Sequence, residues 1–404
     1  MMSKLNIPEL RFPEFSGEWE EKKLKEITTK IGSGKTPRGG SSVYKKEGIP
    51  FLRSQNVQFG ALKLDDLVFI DDETDEGMKN SRSYFGDVLL NITGASIGRA
   101  CMNTLKNTHS NLNQHVSIIR LDSQNSPYFI EQFLISTKGQ RSIFRAQSGG
   151  SREGLNFAEI GKLKIKLPRI DEQEKIGSFF SKVDRLIELE EKKLELLEEQ
   201  KKGYMQKIFS QELRFKDENG NDYPEWEERK LGELLGERVE RSASGELLSV
   251  TISEGIKPFS QLDRKNNSSD NKDNYKKVCV GDIAYNSMRM WQGASGYSTY
   301  EGIVSPAYTV LYKKSEIDME FMSYYFKTHQ LVHTFKKFSQ GLTSDTWNLK
   351  YPLLKTIPVY ICSLNEQKKI SAFFVKLDYR ISQQRIKVNK LNFEKQGLLQ
   401  RMFV

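Results

Sequence analysis

Few residues in this chain are spaced for covalent chemistry. Gly34-Lys35-Thr36 has the ending of a phosphate-binding loop, but Thr29 stands where the loop needs its first glycine, and Pro37 follows at once. No glycine-rich turn follows a strand with an acidic residue about 20 residues on, so a dinucleotide or S-adenosylmethionine pocket is not indicated. The chain also lacks the Asn-Pro-Pro-aromatic run expected of a base-methylating enzyme. Glu228-x-Lys230 imitates part of a nuclease carboxylate cluster. It recurs as Glu20-x-Lys22, and both read as solvated helix starts. His329 and His333 lie one helical turn apart with no Cys, Asp or Glu in a ligand pattern, and read as surface or half-buried helix residues. Cys101, Cys279 and Cys362 are far apart, odd in number and without a C-x-x-C pair. Neither a zinc site nor a disulfide framework follows, and a reduced, cytoplasmic setting is expected. The chain is thus read as having no catalytic residues and no bound metal or cofactor.

The residues point to binding instead. The formal net charge is +9, which favours an anionic partner, nucleic acid first. Loops mix Lys and Arg, which neutralise phosphate, with Asn, Gln, Ser and Thr, which reach base edges. In the first half the candidates are Lys35, Arg38, Arg53, Asn56, Asn91, Arg99, Asn113, Gln114 and Arg152. In the second they are Asn286, Arg289, Trp291, Gln292, Gln340, Thr343 and Ser344.

Two long amphipathic stretches must position these loops. Asp171 to Phe209 carries an apolar seam at alternating steps of four and three: Ile176, Phe180, Val183, Ile187, Leu194 and Leu197. Asn365 to Phe403 repeats it with Ile370, Phe374, Leu377, Ile381, Val388 and Leu391. Aligned without a gap from Glu172 and from Glu366, the stretches share 15 identities in 38 pairs, which marks an internal repeat. The polar seam positions also match, Glu190 with Gln384 and Lys201 with Lys395. Polar residues in a seam cost stability and fix register and partner. Two matched copies read as helices that pack on each other within one chain.

The repeat is larger than the helix. Pro13, Trp19 and Leu24 match Pro224, Trp226 and Leu231 ahead of each body. Gly86-Asp87-Val88-Leu89 is answered by Gly281-Asp282-Ile283, and a mid-body helix beginning at Ser126 by one beginning at Asp318. Residues 1–169 and 213–359 are therefore read as two like bodies, and 170–212 and 360–404 as the helices that follow them. No run of about 18 apolar residues exists to span a membrane.

In this order the pieces resemble the DNA-specificity subunit of type I restriction–modification enzymes. The resemblance rests on Gly34-Lys35-Thr36-Pro37 with Tyr44 and Gly48-Ile49-Pro50-Phe51, on Gly86-Asp87-Val88-Leu89 and Gly281-Asp282-Ile283, and on the helix openings. These run Pro168, Glu172-Gln173, Ile176 and Pro358, Glu366-Gln367, Ile370, each followed by Phe-Phe and then Asp184 or Asp378. The second body departs from the pattern. It lacks a Gly-Lys-Thr-Pro equivalent and has the polar loop Asp263 to Asn274.

The resemblance implies an α/β protein with two globular target-recognition domains separated by two long antiparallel helices, an intramolecular coiled coil with pseudo-two-fold symmetry. It implies a non-catalytic role on double-stranded DNA, reading an asymmetric two-part sequence whose gap the helix pair sets. It also implies two modification subunits, which carry S-adenosylmethionine and methylate adenine, and restriction subunits using ATP and Mg²⁺. The rival reading is a coiled-coil adaptor whose two heads bind proteins.

Overall fold

The two matched amphipathic stretches form the longest elements, Ile170–Phe209 and Leu364–Met402. They belong to a computed structural model that describes residues 6–147, 154–252, 255–262, 268, 271–343 and 346–404. The chain divides into two units, Met1–Lys192 with Arg385–Val404, and Lys193–Gln384, so each long helix contributes to both.

Within the first unit the two helices run antiparallel. Phe180 stacks on Phe403 with centroids 6.3 Å apart, Asp184 meets Lys395 at 2.5 Å and Glu190 meets Lys387 at 2.6 Å. The second unit repeats the direction and the chemistry. Lys201 meets Asp378 at 2.6 Å, Tyr204 packs edge-on against Phe373 at 5.1 Å, and Phe209 stacks on Phe374 at 6.1 Å. The polar seam positions Lys201 and Lys395 therefore have equivalent partners, Asp378 and Asp184. Of the expected seam, Ile176, Phe180, Ile187, Ile370, Phe374, Leu377, Ile381 and Val388 are buried, while Val183, Leu194, Leu197 and Leu391 are half-buried.

The end of each helix finishes a core that begins elsewhere in the chain. Phe403, 1% exposed, touches Trp19, Phe129, Phe133 and Phe180 at centroid distances of 5.1 to 6.4 Å. Phe209 does the same among Trp226, Phe321, Tyr325 and Phe374 at 5.0 to 6.3 Å. The start of each helix is fixed by a buried carboxylate. Glu172 takes both arms of Arg11 at 2.7 Å, and Arg11 also donates to the Ser16 and Gly17 carbonyls. Glu366 takes Arg214 at 2.8 and 3.2 Å, and Arg214 donates to the Tyr223 and Pro224 carbonyls. Next to them, Gln173 accepts from the Ser126 amide and donates to Pro168 O, while Gln367 accepts from the Asp318 amide and donates to Cys362 O. Both arginines stand in the same tetrapeptide, Glu-Leu-Arg-Phe, at 9–12 and 212–215.

Each body holds an antiparallel sheet of one topology. In the first unit the order is Thr28–Ser33, Val116–Leu121, Val88–Asn91, Ala100–Met102. In the second it is Leu235–Glu237, Tyr308–Lys313, Ile283–Asn286, Ser295–Tyr297. The first unit adds a smaller sheet in which Ile49–Leu52 and Ser110–Leu112 run parallel. The two Gly-Asp turns have one explanation. Gly86 and Gly281 sit at φ +89° and +93°, and the next carboxylates cap the turn amides of Tyr84 and Cys279. Each aspartate also holds an arginine with both oxygens, Asp87 with Arg120 and Asp282 with Arg238.

Two expectations need correction. Glu20–Lys23 and Glu227–Lys230 are strands, not helix starts. They pair antiparallel with the closing strands Lys164–Leu167 and Pro358–Ile361, and most of their side chains stay in solvent. The mid-body helix read from Ser126 to Thr137 is Pro127–Ile135 and is followed by an unread helix, Thr137–Gln147, while its counterpart from Asp318 to Phe338 is two helices, Met319–Tyr325 and His329–Phe338. A hydroxyl makes each break. Ser136 Oγ donates to Phe133 O and accepts from the Gly139 amide, and Thr328 Oγ1 donates to Tyr325 O and accepts from the Leu331 amide.

Glu131 lies on the first of these helices and is 5% exposed. Burial pushes its carboxyl up to about 8, against the Met102 amide that donates to it at 2.9 Å; Asp184 adds repulsion and Lys395 offsets part of it. Its folded-state pKa lies above that of an unfolded glutamate. The stability is therefore complete below the ordinary glutamate range and is lost as pH climbs through about 8. Between pH 6 and pH 9 the melting temperature of the wild-type chain should fall further than that of Glu131→Gln. Parallel curves would show that Glu131 does not titrate in the fold.

Candidate nucleic-acid interface

Strand direction gathers the first-half candidates at one end of the body. Thr28–Ser33 and Val88–Asn91 end there, and Val116–Leu121 and Ala100–Met102 begin there. Ile49–Leu52 and Ser110–Leu112, being parallel, run out at the same end. Lys35, Arg38, Arg53, Asn56, Asn91, Arg99, Asn113 and Gln114 all sit at or just beyond these strand ends. Backbone bonds knit the loops together. The Lys35 amide donates to Leu112 O at 2.8 Å, the Asn113 amide to Leu52 O at 3.0 Å, and the Gly60 amide to Ala100 O at 2.8 Å. Gly34 is required by this docking, because a Cβ there would lie 2.0 Å from Leu112 O. Close approach of two backbones, not a nucleotide-binding loop, accounts for Gly34.

The candidates differ in what they present. Lys35, Arg38 and Gln114 are exposed. Arg53 is half-buried, donates to Asp66 O at 2.7 Å and lies 5.8 Å from the Tyr44 ring centre. Arg99 is half-buried and donates to Gln58 Oε1 at 3.0 Å. Asn113 Oδ1 accepts from the His115 amide, a turn that places Gln114 at its tip. Asn56 is a correction. It is fully buried, its Oδ1 accepts from the Arg53 amide, and its Nδ2 donates to Lys63 O and Asp66 Oδ1, so it shapes the loop and offers no edge. Asn91 is equally buried; its Nδ2 donates to Ser54 O at 2.8 Å, and its Oδ1 has no hydrogen-bond partner among the described residues. Arg152 lies outside the described residues.

In the second unit Asn286, Arg289, Trp291 and Gln292 share the loop that leaves Ile283–Asn286. Asn286 Oδ1 accepts from the Met288 amide, Arg289 Nη1 reaches Gln292 Oε1 at 3.4 Å, and Trp291 Nε1 donates to Met288 O at 3.0 Å. Gln340 pairs through its backbone with Asn348, and Thr343 donates its amide to Thr346 Oγ1. The Leu349 amide, bonded to Ser287 O at 2.9 Å, ties that segment to the first loop. Ser344 and most of the polar stretch 263–274 lie outside the described residues. Trp347 and Lys336, absent from the sequence-based set, join Trp291 here. A tryptophan within a polar stretch is the signal that would have found Trp347. The imidazoles of His329 and His333 stack at 6.5 Å on an exposed helix face. Among the described residues no three His, Cys, Asp or Glu side chains are grouped to hold a metal ion, and no helix is long and apolar enough to cross a membrane.

The sequence matches the family described as "Type I restriction modification DNA specificity domain" twice, over residues 16–199 and 223–390. The chain belongs to this family. Similar chains from Methanocaldococcus jannaschii are the putative type I restriction enzyme MjaX specificity subunit and the MjaVIII specificity subunit. The first is 27% identical over 56% of this chain and 55% of its own length; the second is 25% identical over 51% and 49%. The chain thus spans about half the length of the curated relatives it matches. Among solved structures, the type I restriction–modification S subunit from M. genitalium superposes with a TM-score of 0.60 over 98% of this chain and 99% of that one, at 16% identity. At that identity the likeness concerns the fold. It extends to the duplicated bodies and the two long helices expected from the resemblance.

The docking of Gly34 gives a test. Gly34→Ala drives a methyl group into the Leu112 and Asn113 carbonyls and should cost about 1–3 kcal/mol. Faster amide exchange should follow at Lys35 and Asn113, with Ile283–Asn286 in the other unit unchanged. Wild-type exchange at Lys35 and Asn113 would contradict the packing.

Proposed function

We propose that this chain is the DNA-specificity subunit of a type I restriction–modification assembly. Each unit reads one half of a two-part target, and the unlike loops make the halves unlike. The observation that carries the proposal is the gathering, in each unit, of cationic and amide side chains from several loops at one end of a family sheet. Lys35, Arg38 and Arg289 supply phosphate contacts, whose free energy comes largely from counterion release and falls with salt. In this reading Gln114, Asn113, Gln292 and Gln340 donate to and accept from base edges in the major groove. Arg53 and Arg99, already bonded within the fold, keep a pre-set orientation and so lose little freedom on contact.

Catalysis belongs to partner subunits in this reading. Modification subunits holding S-adenosylmethionine methylate adenine, which must leave the stack to be reached. Restriction subunits using ATP and Mg²⁺ join them. The lengths of the two long helices set the gap between the half-sites. The protein-binding adaptor makes the opposite prediction about salt and DNA.

Genome-wide adenine-methylation mapping, with and without this chain beside its modification partner, tests the proposal. A two-part unlike motif that vanishes when the chain is deleted is expected; an unchanged methylome refutes it. Lys35→Ala should weaken binding to all sequences alike and lower the salt slope by about one. A base-selective loss instead would move Lys35 from phosphate to base contact.

A further inference from the structure

Two loops built on one frame carry unlike side chains. Asn91 to Arg99 and Asn286 to Ala294 are equally long, and each is closed by a bond of 2.9 Å from the asparagine amide to the carbonyl of the last residue. Each has a left-handed glycine just before its end, Gly98 at φ +87° and Gly293 at φ +80°. Between them the first unit places Gly94-Ala95-Ser96-Ile97, and the second Arg289-Met290-Trp291-Gln292. Met290 is fully buried and anchors the second loop. Trp291 is left half-exposed, with its only N–H spent on Met288 O. Its ring meets half-exposed Trp347 edge-to-face, at 5.2 Å and 77°, and the Lys336 ammonium stands 5.3 Å from the Trp347 ring centre.

The chain has four tryptophans. Trp19 and Trp226, at 2% and 7% exposure, are core residues, so the other two are the only indoles presented at the surface. Lys336 stands against Trp347 and exposed Arg289 lies on the loop of Trp291, which suits a polyanion. What an indole with its N–H already used can offer such a ligand is a ring face. A paired, stacked base has no free face to meet it, but an unstacked base does, and base–aromatic stacking contributes about 1–3 kcal/mol per base.

We propose that Trp291 and Trp347, with Lys336, form a stacking site for a base displaced from the duplex on the DNA held by the second unit. The inference rests on the DNA-specificity reading and adds to it a ligand class, the unpaired base, that no edge-reading residue requires. Ser96, at the position of Trp291, denies the first unit such a site. The two units therefore differ in tolerance of distorted DNA as well as in sequence.

The test uses the full chain with a fully paired duplex and with the same duplex carrying unpaired bases, in one salt. Wild-type protein should bind the second about tenfold more tightly, the equivalent of one stacked base. Trp291→Ala with Trp347→Ala should remove that advantage, so that the variant binds the two duplexes equally. The single substitutions carry the test if the double variant loses its fold, and Trp291→Phe with Trp347→Phe should restore most of the advantage. Equal wild-type affinity for both duplexes, or an advantage that survives in the alanine variants, overturns the stacking site. Failure to bind either duplex overturns the DNA reading, and the stacking site with it.

Discussion

Burial of one phenylalanine at the end of each long helix is the constraint on which the rest of the structure depends. Phe403 closes the core that Trp19, Phe129 and Phe180 begin, and Phe209 closes the core of Trp226, Phe321 and Phe374. The helix that follows one body in sequence thus supplies the last side chain of the other. Burying such a ring contributes about 1.5–3 kcal/mol from its area alone. The ion pairs beside it, Asp184 with Lys395 and Asp378 with Lys201, add direction more than energy. Each partly desolvated lysine has one favourable partner, and a register shift would leave both charges unpaired.

This constraint explains what could be read from the sequence. The helices were legible because their seams recur at heptad spacing in two copies and chance cannot produce both. The Gly-Asp pairs were legible as a repeated motif but not as turns, because the left-handed glycine and the capping carboxylate show only in the fold. The Glu-Gln helix openings were visible as a motif, but their purpose was not. It needs Arg11 and Arg214, which lie far away in sequence and converge only in the fold. Glu20–Lys23 could not be read as a strand from its own residues, since its pairing partner lies more than a hundred residues on and its side chains are largely charged. Ser136 and Thr328 hid a helix break because a hydroxyl is compatible with a helix interior and with a cap.

The candidate interface was legible as a set and not as individuals. Neighbouring strand ends in a sheet of this topology lie together, so loop position assembled Lys35, Asn91, Arg99 and Gln114. Burial was not legible. Asn56 has the side chain of a base reader and the bonding of a loop staple, and only its contacts with Arg53, Lys63 and Asp66 separate the two. The frame of each loop is thus held by bonds inside the fold, while the positions between the frame residues differ between the units. Gly94-Ala95-Ser96 against Arg289-Met290-Trp291 is the plainest case. A duplicated scaffold can in this way carry two readers without altering its core.

Amide hydrogen exchange on the full chain, comparing Phe403→Ala with Phe209→Ala, tests the exchanged-core account most directly. Loss of a buried phenylalanine should lower the local opening free energy by about 3–5 kcal/mol. For Phe403→Ala the account predicts faster exchange in Pro127–Ile135 and Val88–Asn91, with Met319–Tyr325 protected as in wild-type, and for Phe209→Ala the converse. Unchanged protection of Pro127–Ile135 in Phe403→Ala, or the same loosening of both bodies by either substitution, would contradict it.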